Sequence, residues 1–106
     1  MKIRIIELED LDALKDAKIE FTGMVTKHEK KTTKTGKPYC LTKINDESGE
    51  TTIYLFHEQA IKIENRLAAG KTIKVNAEII PVRFKPENEK TIKYLTIEVD
   101  NQVVEL

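Results

Sequence analysis

The sequence predicts an all-β domain with one helix: a five-stranded Greek-key barrel whose helix lies between strands 3 and 4. Three observations carry this. Several stretches alternate apolar and polar residues with a period of two and are separated by Gly, Pro, Asn and Asp turn signals. One longer segment, His57 to Ala69, carries helical spacing instead. A chain of 106 residues has room for one modest core and is expected to form a single domain, with a lead-in over 1–16, the barrel over 17–99 and a tail over 100–106.

In the lead-in, Ile3 to Ile6 fit a short strand, and Leu8, Leu11 and Leu14 fit a helical turn that closes one end of the core. The first full strand runs from Lys18 to about His28, with Ile19, Phe21, Gly23 and Val25 on one face. Gly23 marks a sharp bend or bulge, and a long strand bent there can pair on both sides. Residues 29–37 hold no apolar side chain and read as a solvated, mobile loop. Pro38 to Asn45 is the second strand, since Pro suits a first position. Asp46-Glu47-Ser48-Gly49 is a turn, Asp bonding the local backbone and Gly taking positive φ.

Glu50 to Phe56 is the third strand. Ile53 and Leu55 point into the core, which leaves Thr52, Tyr54 and Phe56 on the outer face. The helix follows, with Ala60, Ile63 and Leu67 inward and Gly70 as its terminator. The fourth strand runs from Lys71 to about Phe84, with Ile73, Val75, Ala77 and Ile79 inward. Lys85 to Lys90 is a turn-rich loop. Thr91 to Val99 is the fifth strand, with Leu95, Ile97 and Val99 inward and Tyr94 outward; the acidic tail from Asp100 extends it.

Several functional classes find no support in the residues. The longest apolar run falls well short of the roughly 18–20 residues of a membrane helix. Met1-Lys2-Ile3-Arg4-Ile5-Ile6 gives way at once to acids and does not read as a signal peptide, so a cytoplasmic protein is expected. The single Cys40 offers neither a disulfide nor metal-ligand spacing and reads as a small buried hydrophobe. His57-Glu58 begins like a zinc-protease helix, but Ile61 stands where the second His is needed. Gly23, Gly36, Gly49 and Gly70 are too dispersed for a phosphate loop, and Asp46-Glu47 sit in a turn. No enzymatic activity, metal or cofactor is expected.

Net charge is zero, from 18 basic and 18 acidic residues, but the distribution is uneven. Lys27 to Lys43 holds six lysines against Glu29 alone, a net of +5. Arg83 to Lys93 holds four bases against two acids, a net of +2, whereas Ile44 to Arg66 is net −3 and Tyr94 to Leu106 has acids only. A fold that brings the two basic segments together has one positive side.

Five strands with a helix after the third is the order of the OB-fold, whose strand 2–3 face and loops 1–2 and 4–5 bind oligonucleotides or oligosaccharides. Here those loops are the centres of the two basic segments. Thr35-Gly36-Lys37-Pro38-Tyr39, Asn45-Asp46-Glu47-Ser48-Gly49-Glu50 and Ile53-Tyr54-Leu55-Phe56-His57-Glu58-Gln59-Ala60 together resemble the OB domains of replication protein A. The likeness spans roughly residues 18 to 75 and is shared by archaeal single-strand-binding proteins and by anticodon-binding OB domains of some tRNA synthetases. A composition rich in Lys, Glu and Ile is of the hyperthermophile kind and fits an archaeal source.

The resemblance implies a non-catalytic domain that binds single-stranded DNA, with base stacking on Phe56 and on Tyr39 or, with the strand shifted by one, Cys40 in its place. From the alternation, Tyr54 joins Phe56, and Phe84 and Tyr94 flank loop 4–5. Lys30, Lys31, Lys34, Lys37 and Lys43 on one side, and Arg83, Lys85 and Lys90 on the other, are the expected phosphate contacts. Phe21 is expected in the core. Two other readings share the same surface. One is an RNA or tRNA binder; the other is a protein-interaction module docking a peptide, another OB domain or a replication or repair partner.

Overall fold

The computed structural model describes residues 1–14, 17–82 and 89–106. Six antiparallel strands form one sheet in the order β3-β2-β1-β4-β5-β6: β1 is Lys18–Thr32, β2 Pro38–Asn45, β3 Glu50–Phe56, β4 Thr72–Pro81, β5 Lys90–Val99 and β6 Gln102–Glu105. No ladder joins β3 to β5 or β6 among the described residues, so the barrel is partly open. A short helix, α1 (Leu11–Leu14), precedes β1, and α2 (Glu58–Ile63) lies between β3 and β4.

β1 is the strand that makes the barrel. Its first half pairs with β4 from Lys18 to Met24, and its second half pairs with β2 from Met24 to Thr32. The handover occurs next to Gly23, and a bulge at Thr26 follows, where the register shifts between Val25 and Lys27. A side chain at Gly23 has no space: an added Cβ would lie 2.8 Å from the carbonyl oxygen of Asn45 and 2.9 Å from Cδ1 of Ile5.

The core is built from the alternating positions expected of it. Ile19, Phe21 and Val25 of β1, Ile53 and Leu55 of β3, and Ile73, Val75, Ala77 and Ile79 of β4 are all buried. Cys40 and Ile44 of β2, Ile97 and Val99 of β5, and Ala60, Ile63 and Leu67 around α2 complete it. Each fully buried Ile, Leu, Val or Phe contributes about 1.5–3 kcal/mol relative to exposure.

The lead-in plugs one end. Ile3 N–H donates to the Glu20 carbonyl at 2.9 Å, and the chain then enters a 3₁₀ turn, Ile5–Glu9, rather than a strand. Ile5 is buried there, and its N–H donates to Asp46 Oδ2 at 3.0 Å. Asp46 Oδ1 accepts from the Ser48 hydroxyl at 2.6 Å, Ser48 N–H at 2.7 Å and Gly49 N–H at 3.1 Å. One carboxylate thus closes the β2–β3 turn and clamps the lead-in to it. Gly49 does not take positive φ as expected. A Cβ there would stand 3.6–3.8 Å from Ile6, in ordinary van der Waals contact.

Partial burial opposes ionisation of Asp46, but the hydrogen bonds from Ser48, Ile5 and Gly49 outweigh it and hold the carboxyl below its ordinary value of 3.8. A lowered folded value means stability that is present in full above about pH 4 and lost as the pH falls through the folded value. Asp46→Asn is therefore expected to flatten the acid limb of a melting-temperature profile between pH 6 and 2. Asp46→Ala, which strands several donors, is expected to cost about 2 kcal/mol in urea unfolding at pH 7.

Four other expectations are corrected. The lysine-rich loop is short, because β1 continues to Thr32 and its last residues pair with Pro38 to Leu41. The remaining turn is tightly bonded: Thr33 N–H donates to the Lys37 carbonyl at 2.8 Å, Gly36 N–H donates to the Thr33 carbonyl at 2.9 Å, and Gly36 has φ +85°. The helix stops at Ile63 and tightens into a 3₁₀ turn, Glu64–Arg66, so Gly70, although at φ +95°, is no helix terminator. Its N–H donates to the Val25 carbonyl at 2.8 Å. The tail does not extend β5. Asp100 and Asn101, at φ +52° and +63°, form a tight hairpin turn, and β6 folds back along β5.

β5 itself carries a bulge. Thr96 pairs with Asn76 but Tyr94 pairs with Ala77, which leaves Leu95 as the extra residue. Tyr94 therefore lies on the Ala77 side and packs half-buried against the core, instead of facing outward, and Leu95 is not among the core residues.

Candidate nucleic-acid interface

The outer face of β1-β2-β3 is laid out by register. Lys31 pairs with Tyr39 and Tyr39 with Phe56; Glu29 pairs with Leu41 and Leu41 with Tyr54; Lys27 pairs with Lys43 and Lys43 with Thr52. Period-two alternation puts all nine side chains on one face. The result is three cross-strand rows, with a basic edge on β1 and an aromatic edge on β3.

The three rings form a continuous platform. Tyr39 and Phe56 stack with centroids 5.6 Å apart and planes 19° from parallel, and Tyr54 and Phe56 stack at 6.4 Å and 16°. Phe56 is the shared member, and it is 49% exposed while its neighbour Leu55 is wholly buried. The strand ends directly after it. His57 adopts φ +52°, its N–H donates to the Pro38 carbonyl at 2.8 Å, and its ring meets Phe56 edge-on at 6.5 Å. That turn fixes the position of Phe56 at the corner between sheet and α2.

Tyr39, not Cys40, is the strand 2 member of the platform. Cys40 is buried on the opposite face, and burial pushes its thiol above the ordinary value.

The open seam of the barrel continues this face. A groove of about 500 Å³ is lined by Tyr54 and Phe56 of β3 and Gln59 of α2, by Ile80 of β4 and Lys90, Ile92, Lys93 and Tyr94 of β5, and by Leu11. Tyr94 contributes a wall of this groove; burial pushes its hydroxyl up to about 12, so it stays protonated and able to donate. Phe56 also lines a second hollow, bordered by Lys37 and Pro38. Phe56 thus shares one hollow with Lys37 of the first basic segment and another with Lys90 and Lys93 of the second.

A family model for tRNA anti-codon domains, described as OB-fold nucleic acid binding domain, matches residues 19–100. The chain belongs to this family of OB-fold nucleic acid binding domains. The match covers every strand of the barrel as far as the turn before β6. No curated protein matches the chain.

Within this OB domain the expected site residues separate into groups. Tyr39, Tyr54, Phe56, Lys31 and Lys43 share the platform face. Lys34 and Lys37 are exposed in the Thr33–Lys37 turn. Lys90 and Tyr94 border the seam groove. Lys30 belongs elsewhere: it pairs with Cys40, lies on the opposite face, and its ammonium donates to Asn65 Oδ1 beside α2. Arg83, Phe84 and Lys85 lie outside the described residues. The OB domain also presents residues outside the expected site, namely Lys27, Glu29 and Leu41 on the platform and Gln59 and Lys93 in the groove. Counting in steps of two back from Lys31 would have found Lys27 and Glu29. Among the described residues no three His, Cys, Asp or Glu side chains converge as a metal site would require, and no helix is long and apolar enough to cross a membrane.

Proposed function

We propose that this OB domain binds single-stranded nucleic acid without catalysing a reaction on it, acting in the cytoplasm. The observation that carries the reading is the exposed Tyr39–Phe56–Tyr54 stack, bordered by lysines of both basic segments. A base has two π-faces whatever its identity, so a row of rings accepts successive bases with little sequence preference. A duplex hides those faces inside its own stack, whereas a single strand can unstack onto the protein. Lysines along the edge then release counterions from the phosphates, which makes the affinity fall with salt.

The resemblance to replication protein A favours DNA as the strand. The match to the tRNA anti-codon family supports RNA as a second reading, because stacking on rings and phosphate pairing serve either strand and leave a 2′-hydroxyl unread. One domain with a platform of this size is expected to bind weakly alone and to gain strength from tandem copies or from partner OB domains.

Titrations of labelled oligo-dT, oligo-U and a duplex of equal length, at low and moderate salt, test the proposal. Single strands are expected to bind more tightly than the duplex, with affinity falling as salt rises. A higher affinity for oligo-dT assigns DNA, and a higher affinity for oligo-U assigns RNA. Absence of binding to every strand at low salt would overturn the reading.

A further inference from the structure

Glu29 is the one acid within the basic segment, and register places it in the middle row of the platform, next to Leu41 and one strand further from Tyr54. Its two carboxylate oxygens are divided between two lysines of the same face: Oε1 lies 2.9 Å from Lys27 Nζ and Oε2 lies 3.4 Å from Lys31 Nζ. All three side chains are partly exposed, between 36% and 51%. The hydrogen bond from Lys27, with that from Lys31 and the positive charge of both, holds the Glu29 carboxyl below its ordinary value, so it is ionised throughout the physiological range.

Two lysines and one carboxylate in a row carry a net of +1, where the same row without the acid would carry +2. A phosphate that approaches Lys27 or Lys31 therefore meets an ammonium already holding a carboxylate oxygen. That ammonium's charge is already partly neutralised and the carboxylate repels the phosphate, so the contact releases fewer counterions. Stacking on Tyr39, Phe56 and Tyr54 involves no charge and meets no such competition.

We infer that Glu29 is a selectivity residue: it occupies Lys27 and Lys31 in the free domain, so that phosphate contact alone is a poor ligand and a strand must also stack to bind. This rests on the proposed single-strand reading. A duplex, which offers phosphates but few free base faces, is the ligand most disfavoured by Glu29. The carboxylate thereby separates single strand from duplex on a surface that never reads base sequence. It also accounts for a platform that keeps an acid amid its lysines.

The test compares the wild-type chain with Glu29→Gln and with Glu47→Gln, which removes the same charge from the turn at the far end of the β2–β3 hairpin. Affinities for oligo-dT and for a duplex are measured at several salt concentrations, and elution salt from a heparin column is recorded. Glu29→Gln is expected to bind oligo-dT about three- to tenfold more tightly at low salt, with the log–log salt slope steeper by about 0.7 for each phosphate gained. The gain on duplex is expected to be larger, so that the ratio of single-strand to duplex affinity falls. Glu47→Gln is expected to match the wild type in the salt slope and in that ratio.

Equal effects of the two substitutions would reduce the role of Glu29 to net charge and overturn the inference. Weaker binding by Glu29→Gln would make the carboxylate a direct acceptor for the bases, which also overturns it. The heparin arm separates this inference from the reading it rests on. If no strand bound but Glu29→Gln eluted later than both other proteins, stacking would fall and competition at Lys27 and Lys31 would stand. If the wild type bound strands normally and Glu29→Gln changed neither slope nor elution, the competition would fall and stacking would stand.

Discussion

Phe56→Ala is expected to weaken binding of oligo-dT by roughly 5- to 150-fold, the equivalent of about 1–3 kcal/mol for one lost base stack. The position concentrates the effect, because Phe56 is the ring that touches both others. Its removal separates Tyr39 from Tyr54 and breaks the platform in two. The ring is uncharged, so the salt slope is expected to stay the same while the whole affinity line drops. Lys37→Ala should do the reverse, flattening the slope by about 0.7 with a smaller loss at moderate salt.

Loss of fold is the competing explanation for a weak Phe56→Ala protein. Half of the side chain is in solvent and the core beneath it belongs to Leu55, so truncation removes mainly the stacked pairs with Tyr39 and Tyr54. Such pairs contribute about 0.5–1.5 kcal/mol. Half-exposed pairs fall at the low end of that range, about 1 kcal/mol for the two, so the melting temperature is expected to fall by about 4–8 °C for a domain of this size. Two further substitutions separate a flat ring from mere apolar cover. Phe56→Tyr keeps the π-face and is expected to retain binding, whereas Phe56→Leu keeps a similar apolar bulk and is expected to lose it. Equal affinity of the Leu and Tyr variants would show that the ring is surface cover, and would favour a protein-docking role for the platform.

The legible parts of this molecule are those where apolar residues mark the alternation. Ile53 and Leu55 are buried, so Tyr54 and Phe56 had to face out, and they do. Lys30 was misplaced for the complementary reason. Residues 29–37 contain no apolar side chain, so nothing local says which lysine faces which way. Pairing with β2 decides it: Tyr39 takes Lys31 to the platform, and Cys40 takes Lys30 to the other face. Tyr94 was misplaced by a single inserted residue. The bulge at Leu95 shifts every position before it to the opposite face, and a bulge leaves little trace in a strand as regular as Tyr94-Leu95-Thr96-Ile97. The tail was readable in principle, because Asp100-Asn101 is a pair that tolerates positive φ and suits a two-residue hairpin turn. The early end of α2 is a tertiary effect. Leu67 must reach the core and Asn65 meets Lys30, demands that helical spacing alone does not encode.

Gly23→Val is expected to destabilise the domain by about 3 kcal/mol, at the upper end of what overpacking a close-packed interior costs. On a domain of this size that corresponds to a fall of about 12–24 °C in melting temperature. The reason is what a side chain would meet. The nearest atom to an added Cβ is a backbone oxygen, that of Asn45 at 2.8 Å, with the Asn45 carbonyl carbon at 3.3 Å. A flexible side chain could swing away, but this carbonyl cannot. Asn45 is the last residue of β2, paired with Met24, and Asp46 behind it is tied to Ile5, Ser48 and Gly49. The second nearest atom, Ile5 Cδ1 at 2.9 Å, is on a buried side chain held by that same Asp46 clamp. Relief must therefore come from β2 sliding away from β1. That movement carries Tyr39, Leu41 and Lys43 with it and disrupts the rows that pair Lys31 with Tyr39 and Tyr39 with Phe56. Gly23→Ala is expected to lie between wild type and Val in stability, since its single Cβ already meets both contacts but lacks the added methyl groups. Urea unfolding of the three proteins gives the ordering, and oligo-dT affinity measured where each is fully folded tells whether the rows have moved. A Val variant as stable as wild type would mean that β1 and β2 can part at Gly23, and that the close crossing there does not set the register of the binding face.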